Sequence, residues 1–178
     1  DGINTSENLY IKNNNKIKSI VFMASDQMPN LISLKWFIDI WKEIYNKVDF
    51  EFHIYGNICN YFIKDKEILK NYKIILKGFV ENASMLYSIL ADYSVFISPT
   101  IQGSGYRTKI FEAMSVGIPV ICTEFDYVPI EDFFEKNNDL FVFSNHNDLK
   151  NILENIKINN YFLYDISNNV FNKIKNNL

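Results

Sequence analysis

Only two cysteines occur, Cys59 and Cys122, far apart and each beside or within an apolar run. That scarcity argues against a disulfide framework, and buried thiols in a reducing compartment are expected instead. Histidine is equally scarce. His53 lies on a strand-like stretch and His146 in a polar loop, neither with a companion at metal-ligand spacing, so both read as surface or packing residues and no metal is expected. No apolar run approaches the roughly 18 to 20 residues that span a bilayer, and the N-terminus lacks the apolar core of a signal peptide. The expectation is a soluble, cytoplasmic domain, or one at the cytoplasmic face of a membrane within a longer chain. There is no basic stripe with interleaved aromatics, and the formal charge is −3, which argues against nucleic acid as a partner. The first strand is not followed by Gly-x-Gly-x-x-Gly, which argues against a dinucleotide enzyme. Neither an internal repeat nor a linker is evident.

What is present is enough for one core. The 178 residues are 48% apolar and 22% charged, a balance that supports a single compact domain over residues 1–178 and no more. Stretches rich in Asn, Lys and Ile, such as "IKNNNKIK" and "NILENIKINNYF", keep their apolar periodicity. They read as the codon bias of an AT-rich genome rather than as low-complexity function.

Strand and helix signals alternate along the chain. "KIKSIVFMA" reads as a first strand, and "PNLISLKWFIDIWKEIYNKV" as a helix with Pro29 in its first turn and an apolar stripe through Leu34, Phe37, Ile38, Trp41, Ile44 and Tyr45. Trp41 lies in that stripe and Trp36 at its border. "FEFHIYG" is a second strand, residues 61–71 a weaker helix, and "YKIILKG" a third strand. "NASMLYSILADY" is a helix that Asn82 can cap. "SVFISPT" is nearly all apolar and so buried on both faces. "PVICT" and "DLFVF" complete about six strands. "PIEDFFEKN" reads as a short helix whose acids Glu131, Asp132 and Glu135 favour its start, and 146–156 and 161–176 as terminal helices. The economical architecture is α/β, a doubly wound, Rossmann-like parallel sheet with helices on both faces.

In such a sheet ligands bind beyond the carboxyl ends of strands, near helix N-termini. "TIQGSGYRTKIFEAMSVGIPVICT", residues 100–123, occupies that position. Gly103 and Gly105 allow a sharp turn or a close approach to a ligand, and as a lone Gly-x-Gly they fit a plain tight turn as well. Arg107 and Lys109 sit where the helix dipole disfavours cations; a bound phosphate would reverse that, and solvation of both side chains would accommodate it. Ile110, Ala113 and Met114 face the sheet. Glu112, off that face, can accept two hydrogen bonds from ribose hydroxyls or pair with Lys109 in water.

At these residues the sequence resembles the C-terminal, donor-binding domain of GT-B glycosyltransferases, specifically the retaining family 4. The resemblance rests on "GSGYRTKIFEAMSVGIPVICT", on "ADYSVFISPT", "LKGFVEN" and "PNLISLKWFIDIWKEI", and on the opening "DGIN". It covers nearly the entire chain in order. It implies that Glu112 binds the ribose hydroxyls of a UDP- or GDP-linked sugar, that the backbone of Gly103, Ser104 and Gly105 meets the diphosphate or donor sugar, and that Tyr106 also belongs to the nucleotide-sugar site. It further implies that Lys109 with Arg107 neutralises the diphosphate, and that Phe79 and Val80 border the base. The implied chemistry is glycosyl transfer with retention, without metal or cofactor. Its acceptor, a glycan or a lipid-linked one, would bind an N-terminal GT-B domain that this chain lacks, so the chain is expected to be inactive alone.

Three features depart from the family pattern. The position eight before Glu112 is Ser104 rather than an acid, which leaves Gln102 nearest to the missing carboxylate. The Arg and Lys that many members carry after the first strand are replaced by "SDQMPN", and the glycine-rich turn before Pro-Glu is replaced by "FDYVPIED". The incomplete acid pair favours an alternative, a non-catalytic Rossmann-like binding or regulatory module. "NYFLYDISNNVFNKI" reads as a C-terminal helix whose exposed aromatics would mark an interdomain contact.

Overall fold

Six consecutive residues, Tyr93–Ser98, are all buried, which a strand achieves only when both faces of its sheet are covered. The structure, a computed structural model, describes residues 7–12, 17–103, 107–158 and 160–177. Strands β1 (Ile17–Met23), β2 (Glu51–Tyr55), β3 (Ile74–Gly78), β4 (Tyr93–Ser98), β5 (Val120–Thr123) and β6 (Phe141–Phe143) form one sheet. Their order is 3-2-1-4-5-6, with every described pairing parallel. Sheet growth reverses between β1 and β4, where a doubly wound sheet opens its crevice.

Cover comes from the connecting helices. Helix α2 (Met28–Ile44) carries Pro29 in its first turn, where the missing N–H has no intrahelical partner to lose. Its buried Leu31, Leu34, Phe37, Ile38, Trp41 and Ile44 recur at three and four, so one stripe faces the sheet. The Phe37 ring meets Phe52 at 5.0 Å and Phe143 at 5.9 Å. Trp41 is fully buried and gives its indole N–H to the carbonyl of Tyr72 at 2.9 Å. Trp36, half-buried, stacks on Phe143 at 6.0 Å. Each fully buried aliphatic or Phe side chain of this stripe contributes about 1.5–3 kcal/mol of burial. Helix α7 (His146–Ile158) packs beside α2. Helices α1 (Leu9–Lys12), α4 (Ala83–Asp92), α5 (Thr108–Ser115) and α8 (Asn160–Asn177) pack among themselves on the opposite face. Asn82 caps α4 by accepting from the N–H of Met85 at 3.3 Å.

Four sequence expectations need correction. The helix at 61–71 is a 3-10 segment over Asn57–Asp65 followed by the short α3 (Lys66–Lys70); its first buried anchors, Ile58 and Cys59, come just after Asn57 in that segment's first turn, so helical path starts earlier. The helix at 129–137 starts earlier too, because Thr123 caps α6 (Glu124–Tyr127) by accepting from the N–H of Asp126 at 3.3 Å. A 3-10 turn, Val128–Ile130, comes next, and Glu131, Asp132 and Glu135 are exposed beyond it rather than at a helix start. The polar lead contains α1, which Tyr10 anchors by donating its hydroxyl to the carbonyl of Ser94 at 3.0 Å. Finally, the described aromatics of α8 turn inward. Phe162 meets Phe141 at 5.8 Å, Tyr164 lies 6.2 Å from Tyr10, and Phe171 is buried.

Both cysteines are free and buried, as expected. His53 is a buried packing residue, with ring nitrogens 2.8 Å from the Tyr93 hydroxyl and 2.8 Å from Glu51. Among the described residues no helix is long and apolar enough to cross a membrane.

The ends of β1, β2 and β3 are tied at Gly56, which donates to the carbonyl of Gly78 at 2.8 Å. Gly56 has φ 103°, and a Cβ there would lie 2.0 Å from the carbonyl oxygen of Ala24. Gly56→Ala is therefore expected to lose at least about 2 kcal/mol of stability in urea denaturation, from strain and clash together.

Candidate functional site

Helix α5 buries Ile110, Ala113 and Met114, which leaves Lys109 and Glu112, three residues apart, on a shared flank over the carboxyl ends of β1 and β4. Two hollows meet there. The first, about 340 Å³, has Ala24 and Gly56 at its base, Tyr55, Phe79 and Val80 on its walls, and Glu112 and Lys109 along one side. The second, about 380 Å³, is bordered by Gln27, Asn30, Gln102, Gly103, Arg107 and Asp126. Ser25, Thr108 and Lys109 border both, so they form one elongated cleft with Lys109 at the seam. Each hollow lies within the range of small-molecule sites, about 300–1,000 Å³.

Polarity changes along this cleft. Phe79 stands exposed at the rim of the first hollow, and Val80 is half-buried beside it. Amides and hydroxyls dominate the second. Lys109 is half-buried and donates to the side-chain oxygen of Asn30 at 3.0 Å, with its ammonium 5.7 Å from the Phe22 ring. Desolvation lowers the Lys109 pKa, while the charges of Asp126 and Glu112 oppose that shift. Glu112 moves the other way: burial raises it, against the pull of Lys109. A lysine and a glutamate that are each partly stripped of water favour a ligand able to restore their hydrogen bonds.

The described start of the loop after β4, residues 99–103, is docked on α2. Ile101 donates its N–H to the Ser33 hydroxyl at 3.2 Å, and that hydroxyl donates to the carbonyl of Pro29 at 2.8 Å. Gly103 has φ 117° and lies against Pro29, a left-handed backbone at which other residues are strained. Ser104, Gly105 and Tyr106 lie outside the described residues. The structure thus brings Gly103, Arg107, Lys109, Glu112, Phe79 and Val80 to one cleft.

Asp126 is the site residue that sequence reasoning passed over. It is fully buried in α6, beneath the second hollow. One carboxylate oxygen accepts from the Ser98 hydroxyl at 2.6 Å and from the N–H of Thr100 at 3.3 Å; the other faces the Nε of Arg107 at 2.8 Å. Burial raises its pKa, and the Ser98 and Thr100 hydrogen bonds and the Arg107 charge oppose the rise. The available signal was an acid inside "ICTEFDYVPI", an otherwise mostly apolar stretch just after a buried strand. Among the described residues, no three His, Cys, Asp or Glu side chains converge as a metal site.

A family model described as glycosyl transferases group 1 matches residues 17–157. The chain belongs to this family. Several solved structures share its fold. The C-terminal domain of the group 1 glycosyl transferase LpcC from Francisella tularensis superposes with a TM-score of 0.72 at 13% identity, covering 99% of this chain and 98% of that domain. TarM of S. aureus gives 0.70 at 23% identity over 91% of this chain and 32% of TarM. HepE of Anabaena, solved with UDP, gives 0.68 at 13% identity over 91% of this chain and 44% of HepE. The chain thus spans about a third of TarM and less than half of HepE. Comparison with curated proteins finds no match. The six-stranded, all-parallel α/β domain is Rossmann-like and matches GT-B glycosyltransferase domains, as the sequence predicted.

Because burial raises its pKa, Glu112 keeps its proton to a higher pH in the folded chain than in the unfolded one. Its contribution to stability is then greatest in acid and is lost as pH rises through the raised value. Glu112→Gln is expected to melt with the wild type in acid and above it at neutral pH. Thermal unfolding from about pH 4 to pH 7 checks this.

Proposed function

We propose that this chain is the donor-binding half of a retaining, metal-independent glycosyltransferase of family 4, and that its cleft holds a nucleoside-diphosphate sugar. The observation that carries the reading is the polarity gradient along one cleft at the β1/β4 switch point. It runs from Phe79 and Val80, past Glu112, to Lys109 and the start of α5, and then into an amide-lined hollow.

Each part of the donor meets matching chemistry. The base lies in the first hollow against Phe79, Val80 and Gly56, where flat apolar surface is available. Glu112 accepts from the vicinal ribose hydroxyls, which satisfy a carboxylate already short of water. The diphosphate meets Lys109 and the N-terminal end of α5, close to Gly103. Its negative charge offsets the desolvation that depresses Lys109. The sugar extends into the second hollow, where Gln102 is nearest to the position at which the family pattern carries an acid.

In catalysis the nucleoside diphosphate departs with the electrons of the glycosidic bond, and charge grows on its terminal phosphate. Lys109 and the dipole of α5 are already oriented toward that charge, so they stabilise the transition state more than the ground state. The acceptor, a glycan or lipid-linked one, binds a second GT-B domain that closes over the donor. A donor domain of this kind, separated from its partner domain, binds donor but does not turn over. The LpcC C-terminal domain, a structure of comparable extent, supports donor-side architecture that folds apart from its partner. A non-catalytic binding module is the second reading, favoured by Ser104 at the acid position.

Titration of the chain with UDP and GDP is expected to give a dissociation constant below the millimolar range for one of them. Lys109→Ala and Glu112→Ala should each weaken it about tenfold or more, the effect of deleting one charged hydrogen-bonding group. Absence of binding by the wild type at millimolar nucleotide would rule the donor site out.

A further inference from the structure

The resemblance casts Arg107 as a diphosphate ligand beside Lys109, yet its surroundings give it other work. Its side chain is largely buried, with Nε 2.8 Å from the fully buried carboxylate of Asp126. Its Nη2 donates to the carbonyl of Phe125 at 3.1 Å, and the guanidinium lies 4.9 Å from the centre of the Phe125 ring. All three contacts are to α6. The other oxygen of Asp126 reaches β4 at Ser98 and the loop at Thr100. Thr123, the α6 cap, also donates its hydroxyl to the carbonyl of Thr100. The β4–α5 loop is therefore tied to α6 at both ends, at Thr100 where it leaves β4 and at Arg107 where it enters α5. A planar, forked side chain suits this role, since it can face a carboxylate, a carbonyl and a ring at once.

We infer that Arg107 and Asp126 form a strut, a pair of positioning residues that hold the donor loop and the first turn of α5 in place, so that Arg107 serves the donor phosphates through the loop rather than by touching them. The inference rests on the donor-site reading above. It assigns Asp126, where the family pattern has a glycine-rich turn, a task in phosphate recognition.

Electrostatics alone predicts the opposite sign for one variant. Asp126→Asn keeps an oxygen for Ser98 and Thr100 but removes a negative charge beneath an anion site, which by Coulomb attraction should tighten nucleotide binding. The strut predicts weakening. The 178-residue chain is titrated with UDP by calorimetry and with uridine by NMR, as wild type, Arg107→Met, Asp126→Asn and the double variant. The expected result is a loss of about tenfold for UDP in each single variant, no further loss in the double, and uridine affinity within about twofold throughout. Arg107→Lys, which keeps the charge and the fold but loses the fork, should lose UDP affinity like Arg107→Met, and it carries the test if either buried-pair variant fails to fold.

Three outcomes overturn the inference while leaving the donor site standing: Asp126→Asn binding UDP as tightly as wild type or tighter, Arg107 and Asp126 effects that add, or Arg107→Lys retaining affinity. A loss of UDP and uridine together overturns it too, by marking general damage. Failure of the wild type to bind UDP removes the donor-site reading for that nucleotide, and this inference with it.

Discussion

Because β4 is buried on both faces, the chain leaving it can go only over the carboxyl edge of the sheet, and because β1 and β4 are neighbours from which the sheet grows in opposite directions, no crossover roofs that edge. The crevice follows from these two constraints. The described residues that give the cleft its chemistry are attached to segments emerging there: Ser25 and Asn30 after β1, Gly56 after β2, Phe79 and Val80 after β3, Gly103, Arg107, Lys109 and Glu112 after β4, and Asp126 after β5. The backbone closure at Gly56, where three strand ends meet without room for a side chain, puts bare backbone in the lining of the first hollow.

Charge in this crevice is held at a cost. Lys109 and Glu112 lie in partial burial that disfavours the ionised form of each, and Asp126 is fully buried with a raised pKa. An isolated domain chosen for stability alone would replace such groups by apolar ones of similar volume. Their persistence at one place, next to a helix N-terminus and a left-handed glycine, is the physical signature of a site rather than of a core. The two cations nevertheless differ. Lys109 reaches across the cleft to the neutral amide of Asn30, whereas Arg107 is committed to a carboxylate beneath the floor. Sequence spacing alone makes them equivalent, and the third dimension separates them.

That difference also marks how far the sequence could be read. The parallel sheet was legible because its signals are local: "SVFISPT" is a run that only a doubly covered strand tolerates, and the α2 stripe shows its period over four turns. The cleft residues were legible because a glycine pair, two cations and a glutamate follow such a strand in a familiar order. What escaped depends on contacts distant in sequence. Helix α1 exists because Tyr10 reaches Ser94 and Val116. Helix α6 starts where Thr123 caps it rather than where Pro129 and the acids suggest. The aromatics of α8 look like a surface until Phe141 and Tyr10 are found opposite them. For Asp126 the local signal, an acid in a mostly apolar stretch, does not reveal its partners, which are Ser98, 28 positions before it, and Arg107, 19 before it.

Family membership and the doubly wound fold are established, and the donor-site proposal turns on whether this cleft receives a nucleotide. A crystal structure of the chain grown with UDP answers it most directly. The account predicts both ribose hydroxyls on the Glu112 carboxylate, the base between Gly56 and Phe79, and the phosphates at Lys109 and the first turn of α5. Nucleotide lying elsewhere, or reversed so that its phosphates sit by Phe79 and its base by Gln102, would contradict it.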